Sequence, residues 1–263
     1  MTHVDTSGPE IHGADSGKSL VAHRDPSLKV ALAVGIAVTV LLVGLFALLA
    51  TQNRRQADSP GPIRVSGLPA SLSTPLANLM ALSPVPRVNA HDFTLTDQNG
   101  RTFSLTSFKG KAVVLAFMDP HCTDICPIIS QELIDANHDL GARSRAVVFL
   151  AVNVNRFHTS VADMKKFTDE HLLRSVPSWH FLTGTPNVLK SIWAEYGVTV
   201  VAPSPTVDVI HSSFIFFIDA KGREKYLANP TDLHTAGGKA YLPAGSLSDW
   251  GRGIALVVKS MTR

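Results

Sequence analysis

The two cysteines of this 263-residue chain lie within a span of five residues, inside the segment at residues 121–127. An apolar run at residues 113–118 comes shortly before them, so the thiols are predicted to sit on a turn that follows a buried strand. Two thiols on such a turn can form a disulfide bond with each other or bind a soft metal ion together. A turn is a poor place to bury a thiol, which argues against a third interpretation, two structural core cysteines.

The spacing of Cys122 and Cys126 predicts that both sulfurs lie on one side of a helix. Residues four apart are neighbours on a helix surface if the helix begins near Cys122. The amide groups and dipole at a helix N-terminus favour the thiolate, which is both the nucleophile and the metal ligand. Pro127 is compatible with the first helical turn, where a missing N–H costs nothing. The pair is therefore a candidate redox-active dithiol and a candidate metal site.

A third ligand would favour the metal site over the redox pair. The chain has 11 histidines. Nine of them are interpreted as tail, surface, strand or loop residues: His3, His12, His23, His91, His138, His158, His171, His180 and His234. His211 remains because it opens a predicted strand at residues 212–218, whose start is expected beside the cysteine turn. His121 is interpreted either as a plain turn residue or as a group that tunes the thiol of Cys122 or adds a ligand.

Two thiolates and one imidazole form a soft donor set of low coordination number. Such a set suits Cu(I) and can also hold Cu(II), whereas structural zinc usually has four ligands. Cys122, Cys126 and His211 are therefore predicted to bind copper, in a site open enough to release the ion to a partner by ligand exchange. Asp124 and Asp208 are expected to be solvated charges or hydrogen-bond acceptors near these ligands.

The elements that must position these residues follow from the apolar pattern after residue 91. Two short segments flank the turn at residues 97–101 and predict a β-hairpin. Five further strands are predicted at residues 113–118, 146–152, 179–183, 213–219 and 224–228. Four helices are predicted at residues 127–140, 161–173, 186–196 and 246–261, the last from a Ser246-x-x-Asp249 capping pattern, with a loose tail as its alternative.

This order of elements predicts an α/β fold with a four- or five-stranded mixed sheet and helices on both faces. Because the paired thiols follow the first buried strand, the arrangement is thioredoxin-like. We expect the N-terminal β-hairpin to belong to this folded domain, which is predicted to cover residues 88–263.

Residues 1–87 differ in composition from the rest. Residues 1–27 are polar and are predicted to be a disordered tail. Residues 28–50 carry one charge, Lys29, and at about 1.5 Å per residue they can cross a hydrocarbon core of roughly 30 Å, so they predict a single transmembrane helix. A cleaved signal peptide is the alternative, although its apolar region is usually about 7 to 15 residues. Residues 51–87 hold six prolines and are predicted to be a spacer.

The location of the folded domain is predicted from redox chemistry, since the charges that flank the apolar span nearly balance. A thiol pair that needs an oxidant or a scarce metal more often works outside the cytoplasm. We therefore expect a single-pass protein of the cytoplasmic (inner) membrane with residues 51–263 on the extracytoplasmic side. The net charge of +3 is small and unclustered, which argues against a nucleic-acid partner.

At these residues the sequence resembles the Sco/SenC family of copper chaperones for cytochrome c oxidase assembly. Residues 113–127 are similar to the strand and copper motif of the family, and residues 181–186 to the segment before its third helix. His211, followed by Ser212 and a strand that ends at residues 218–222, is similar to the distal ligand block. The resemblance covers residues 88–229.

The resemblance implies that Cys122, Cys126 and His211 bind copper. It also implies a partner, either cytochrome c oxidase subunit II or another copper-site protein. The chain would pass copper to the dinuclear copper centre of that subunit or keep the cysteines of the centre reduced.

Three departures from the family pattern concern the surroundings of the ligands. Ile210 stands where the family commonly has Asp before the histidine, and Asn153-Val154 where it commonly has Asp-Pro. Thr123 replaces the Pro that is common between the cysteines. Since the ligands themselves are present, these changes concern copper affinity and partner choice.

Two enzymatic alternatives to a copper chaperone remain open. In a thiol–disulfide oxidoreductase, Cys122 would attack and Cys126 would resolve, with no role for a metal. In a peroxidase, Cys122 would reduce a peroxide through a sulfenic acid. The metallochaperone is the favoured interpretation, so catalytic turnover is not required of the chain.

Overall fold

The computed structural model describes residues 41–47, 66–86 and 88–262. The predicted tail at residues 1–27 and most of the predicted transmembrane helix at residues 28–50 lie outside the described residues. Inside that span, residues 41–47 are helical and their side chains are exposed. Within the three described ranges, no helix is long and apolar enough to cross a membrane.

The described part of the compact unit at residues 62–263 contains five α-helices and twelve strands. Its helices are α1 (Thr74–Leu79), α2 (Ile125–Leu140), α3 (Val161–Glu170), α4 (Pro186–Glu195) and α5 (Ser246–Met261). Its strands are β1 (Ser83–Pro84), β2 (Thr94–Thr96), β3 (Thr102–Ser104), β4 (Ala112–Met118), β5 (Val147–Asn153), β6 (Trp179–Leu182), β7 (Val200–Val201), β8 (Ile210–His211), β9 (Ile215–Ile218), β10 (Glu224–Ala228), β11 (Leu233–His234) and β12 (Ala240–Tyr241).

A six-stranded mixed sheet in the order β1-β10-β9-β4-β5-β6 forms the centre of the unit. Strands β4, β5 and β6 are parallel, whereas β9 is antiparallel to both β4 and β10. The predicted hairpin is confirmed as the separate pair β2–β3. The predicted thioredoxin-like α/β architecture is thus confirmed, with one more sheet strand than expected.

Both faces of the sheet are covered, which explains why β4 and β5 are buried along their whole length. Successive side chains of a strand point to opposite faces. In β4, one set packs with α1, α2, α3 and α5: Ala112, Val114, Ala116 and Met118. The other set packs with α4 and the hairpin: Val113, Leu115 and Phe117. The prediction of helices on both faces is therefore confirmed.

The C-terminal helix α5 lies against α2 and α1 through two glycines. A Cβ atom on Gly251 would lie 2.5 Å from Cβ of Asp135, and one on Gly253 would lie 2.3 Å from Sδ of Met80. The helix has the predicted bounds, but the predicted Ser246-x-x-Asp249 cap is wrong. No side chain caps its N-terminus; Asp249 binds Arg252 instead, at 2.6 Å.

The structure differs from the predicted spacer at residues 74–86, which form α1 and β1. Pro75 lies in the first turn of α1, where Ser73 accepts a hydrogen bond from the Leu76 amide. Pro84 lies in β1 at the edge of the sheet, paired with Tyr226. A first helical turn and an edge strand are the two regular positions that tolerate proline, so these prolines do not prevent regular structure.

The sheet topology brings three loops together at one end of the central strands. Because β9 is antiparallel to β4, the start of β9 lies beside the end of β4, where Ala116 pairs with Ile215. Because β5 is parallel to β4, the two strands end together, where Met118 pairs with Asn153. The loop after β4, which carries Cys122, therefore lies near the loop after β5. It also lies near the segment before β9, which carries His211.

We expect Met80→Ala to lower the free energy of unfolding by about 2–5 kcal/mol, because a fully buried side chain beside α5 would be removed. Asn78→Ala, an exposed position of α1, is the matched control and should leave stability almost unchanged. Denaturant unfolding followed by tryptophan fluorescence measures both. Equal stability of the two variants would mean that residues 74–86 are a spacer after all.

Candidate metal centre

The loop between β4 and α2 is shaped by the buried carboxylate of Asp119. Its Oδ1 accepts hydrogen bonds from the His121 amide at 2.9 Å and from Nδ2 of Asn155 at 3.0 Å. Its backbone carbonyl accepts a hydrogen bond from the Cys122 amide at 3.2 Å. These bonds close a tight turn that presents Cys122 immediately before α2.

The two thiols lie at the start of α2, which begins at Ile125, two residues before the predicted start at residue 127. A helix start near Cys122, on which the one-sided placement of the sulfurs depended, is not observed: Cys122 belongs to the preceding loop and Cys126 to the first helical turn. The sulfurs still approach each other, and the Cys126 amide donates to Sγ of Cys122 at 3.4 Å. Both are free thiols; Cys126 is buried and Cys122 is partly exposed.

The environment makes the two thiols chemically unequal. The Cys126 thiol donates a hydrogen bond to the Cys122 sulfur, and this lowers the pKa of Cys122 even though burial and the charge of Asp119 oppose the shift. The same hydrogen bond, together with complete burial, raises the pKa of Cys126 well above its usual range. Cys122 is therefore the more acidic thiol of the pair and Cys126 the hydrogen-bond donor to it.

His211 is placed by a short strand pair rather than by the start of β9. It belongs to β8 and pairs with Val200 of β7, while β9 begins only at Ile215. The predicted start of the strand at residue 212 is therefore wrong, because β9 begins three residues later. Nδ1 lies 3.1 Å from the carbonyl oxygen of Ser212, to which an Nδ1–H donates. Burial lowers the pKa of the imidazole, which keeps it neutral and leaves Nε2 as the ligand atom.

Cys122 and His211 line the same cleft, which has a volume of about 260 Å³. Asp119, Asp124 and Asp208 line it as well. A thiol of lowered pKa and three carboxylates around one small cleft favour the binding of a cation. The predicted placement of Asp124 and Asp208 near the ligands is consistent with this lining.

The three predicted ligands share this region but are not gathered around one point. Among the described residues, two groups of His, Cys, Asp or Glu have ligand atoms that all lie within 4.8 Å of one another, and neither contains a cysteine or His211. A metal ion held by Cys122, Cys126 and His211 would therefore require a side-chain rotation or a shift of the loop before β9. The donor chemistry, two sulfurs and one neutral imidazole, fits copper.

Two side chains that the sequence analysis set aside lie beside the cysteine turn. Nε2 of His234 is 2.9 Å from a carboxylate oxygen of Asp124, and this contact raises the pKa of the imidazole. The ring of His158 stacks on His121 with centroids 3.7 Å apart. No sequence signal indicates either contact, because the partners lie far apart along the chain.

Comparison with known proteins supports the predicted family. A family profile described as SCO1/SenC matches residues 84–236. The SCO1 protein homolog of Bacillus subtilis strain 168 is 27% identical over 133 residues, which cover 50% of this chain and 68% of that protein. Protein SCO2, mitochondrial, of Saccharomyces cerevisiae is 31% identical over 139 residues, which cover 50% of this chain and 44% of that protein.

Among solved structures, Bradyrhizobium japonicum ScoI with copper bound is similar, with a TM-score of 0.50 and 21% sequence identity. The likeness covers 65% of this chain and 99% of that chain, and at this identity it shows a common fold. The family profile matches more than half of the 263 residues, on the sheet and loops that carry the paired thiols. The chain therefore belongs to the SCO1/SenC family.

Proposed function

We propose that this protein binds one copper ion through Cys122, Cys126 and His211 and acts in the assembly of cytochrome c oxidase. The observation that carries the proposal is the cleft shared by a low-pKa thiol and a neutral imidazole, with a second thiol in contact with the first. Two sulfurs and one nitrogen form a soft, low-coordinate set that suits Cu(I). The copper-bound Bradyrhizobium relative has the same fold and supports this choice of metal.

The copper ion is the cargo of the protein in this proposal. Cys122 is the partly exposed ligand, so an incoming thiolate of a partner can reach the ion there first. Cys126 is fully buried and would release the ion last. The proposed recipient is the dinuclear copper centre of cytochrome c oxidase subunit II or another copper-site protein.

The departures from the family pattern leave this site chemically complete. Ile210 is largely exposed, and Asp208 supplies a carboxylate to the cleft two residues earlier. Asn153 holds the loop after β5, since its Nδ2 donates to the carbonyl of His158 at 2.8 Å. We propose that these residues adjust the surroundings of the copper ion without replacing a ligand.

We also propose that residues 28–50 anchor the chain in the cytoplasmic membrane as one transmembrane helix, with the thiol domain on the extracytoplasmic side. The length and apolar character of that segment support the anchor. An extracytoplasmic site would place the thiols beside a membrane-bound oxidase.

A second candidate function, reduction of the cysteines of the copper centre, rests on the difference in pKa between the two thiols. The unequal pKa values of Cys122 and Cys126 are those of a dithiol in which one sulfur attacks and the other resolves. In that reaction the Cys122 thiolate attacks a disulfide of the partner and forms a mixed disulfide. The partner thiolate released in that step takes the Cys126 proton. The Cys126 thiolate then attacks Sγ of Cys122, releases the second partner thiolate and leaves a Cys122–Cys126 disulfide. His211 has no part in these steps.

An anaerobic Cu(I) titration of the reduced chain against a coloured chelator tests the copper proposal. We expect one Cu(I) per chain. Cys122→Ser, Cys126→Ser and His211→Ala should each weaken binding more than about 100-fold, since an outer-shell change alone costs roughly 10- to 100-fold.

His138→Ala is the control for this titration, because the His138 side chain on α2 is 89% exposed. It should bind Cu(I) as the parent chain does. Binding in His211→Ala that is as tight as in the His138→Ala control would contradict the two-sulfur, one-nitrogen site.

The dithiol chemistry is tested by the pH dependence of alkylation in the reduced, metal-free chain. Because the pKa of Cys122 is lowered, its alkylation by iodoacetamide should reach half its maximal rate at a lower pH than the alkylation of an ordinary thiol does. Cys126→Ala removes the hydrogen-bond donor and should move this midpoint to higher pH. Cys126→Ser keeps a donor and should move it less.

Mass spectrometry of the peptide that contains Cys122 measures each rate. Equal midpoints in the parent, Cys126→Ala and Cys126→Ser chains would show that Cys126 does not stabilise the Cys122 thiolate. The attacking and resolving roles assigned to the pair would then have no basis.

A further inference from the structure

A second group of ligand-type side chains lies beside the cysteine turn, and the copper site proposed above does not use it. It consists of His121, His158 and Asp163, whose ligand atoms all lie within 4.8 Å of one another. The two imidazole rings stack with centroids 3.7 Å apart. Nε2 of His121 lies 3.4 Å from Oδ1 of Asp163. Two loops and the first turn of a helix thus bring two nitrogens and a carboxylate to one point of the surface.

The carboxylate of this group is held in place by the start of α3. Ser160 and Asp163 form a capping box, in which Oγ of Ser160 accepts from the Asp163 amide at 3.1 Å. Oδ2 of Asp163 accepts hydrogen bonds from Oγ of Ser160 at 2.7 Å and from the Ser160 amide at 3.3 Å. Because Oδ2 is occupied, the orientation of the carboxylate is fixed and Oδ1 faces His121.

The two histidines are held by one buried network of polar side chains. Oδ1 of Asp119 accepts from the His121 amide at 2.9 Å and from Nδ2 of Asn155 at 3.0 Å. Oδ1 of Asn155 accepts from the His158 amide at 3.3 Å, and Nδ2 of Asn153 donates to the His158 carbonyl at 2.8 Å. The backbones of both histidines are therefore fixed relative to each other before any ligand arrives.

The donors of this group differ in character from those of the thiol site. Two imidazole nitrogens and one carboxylate oxygen are the donors that zinc and copper(II) accept in proteins. His121 is exposed in part, and the other two residues are half-buried, so a fourth position would be open to water. Nε2 of His158 also lies 3.4 Å from the carbonyl oxygen of Pro205, and ligation through this atom would replace that contact.

We propose that His121, His158 and Asp163 form a second metal site, which binds one divalent first-row ion, Zn(II) or Cu(II), next to the thiol pair. The site is independent of the proposed copper function, because it contains none of Cys122, Cys126 and His211. Its three ligands come from the loop after β4, the loop after β5 and the first turn of α3. An ion bound there would join these three segments.

The test uses the full chain in detergent with Cys122→Ser and Cys126→Ser as background, so that the thiols bind no metal. Zn(II) is titrated against a coloured chelator. We expect His121→Gln and His158→Gln to weaken the binding of one Zn(II) per chain at least about tenfold relative to the background. His138→Gln, at an exposed position of α2, should match the background. The tail histidines are present in every variant and cancel in this comparison.

Cu(II) paramagnetic resonance of the same variants identifies the donors. The background chain should show coupling to two imidazole nitrogens. His121→Gln and His158→Gln should each lose part of this coupling. Circular dichroism identifies a variant that fails to fold, and His121→Gln keeps the test valid because its side chain is 42% exposed. The proposal would be overturned if His121→Gln and His158→Gln bound Zn(II) as His138→Gln does and gave the same Cu(II) spectra.

The copper proposal is tested with Cu(I) in the chain that keeps both cysteines, so the two proposals fail separately. Loss of the Zn(II) site would leave the Cys122, Cys126 and His211 site standing. Loss of the Cu(I) site would likewise leave the second site standing.

Discussion

The buried carboxylate of Asp119 links the sheet to the chemistry of this protein. It closes the turn that follows β4 by accepting from the His121 amide, and it also accepts from Nδ2 of Asn155 in the loop after β5. Its backbone carbonyl accepts from the Cys122 amide. A single residue therefore sets the position of the thiol turn and ties that turn to the neighbouring loop. The parallel pairing of β4 and β5 makes this contact possible, since the two strands end side by side.

The thiol pair and His211 depend on this arrangement in different ways. Cys126 is fixed by its burial in the first turn of α2 and acts on Cys122 through a hydrogen bond, which separates the pKa values of the two thiols. His211 lies on β8, shortly before β9, whose start is beside the end of β4 because these two strands are antiparallel. The thiols lie around the start of α2 and His211 lies on the separate β7–β8 pair, so the three proposed ligands belong to two different segments.

Much of the fold follows from local sequence patterns. β4 was predictable as a continuous apolar run, and α4 and α5 from the helical spacing of their apolar residues. The loop position of Cys122 was not predictable, since it depends on the hydrogen bonds of Asp119 with the His121 and Cys122 amides. α1 and β1 were missed because the prolines of residues 51–87 were interpreted as breakers. Pro75 and Pro84 in fact occupy a first helical turn and an edge strand, where proline is tolerated.

The site was predictable in its ligand types and only partly in its surroundings. Cys122 and Cys126 stand out by spacing, and His211 by its position before a strand. The contacts of His121 with Asp163 and of His234 with Asp124 join residues 42 and 110 positions apart. Such contacts depend on how loops meet in three dimensions, and nothing in local propensity or periodicity indicates them.

X-ray absorption at the copper edge of the Cu(I)-loaded chain tests the central claim most directly, because it identifies the atoms bound to the ion. The account predicts two sulfur ligands and one nitrogen ligand, with the nitrogen contribution lost in His211→Ala. A spectrum with sulfur ligands alone, unchanged by His211→Ala, would contradict it.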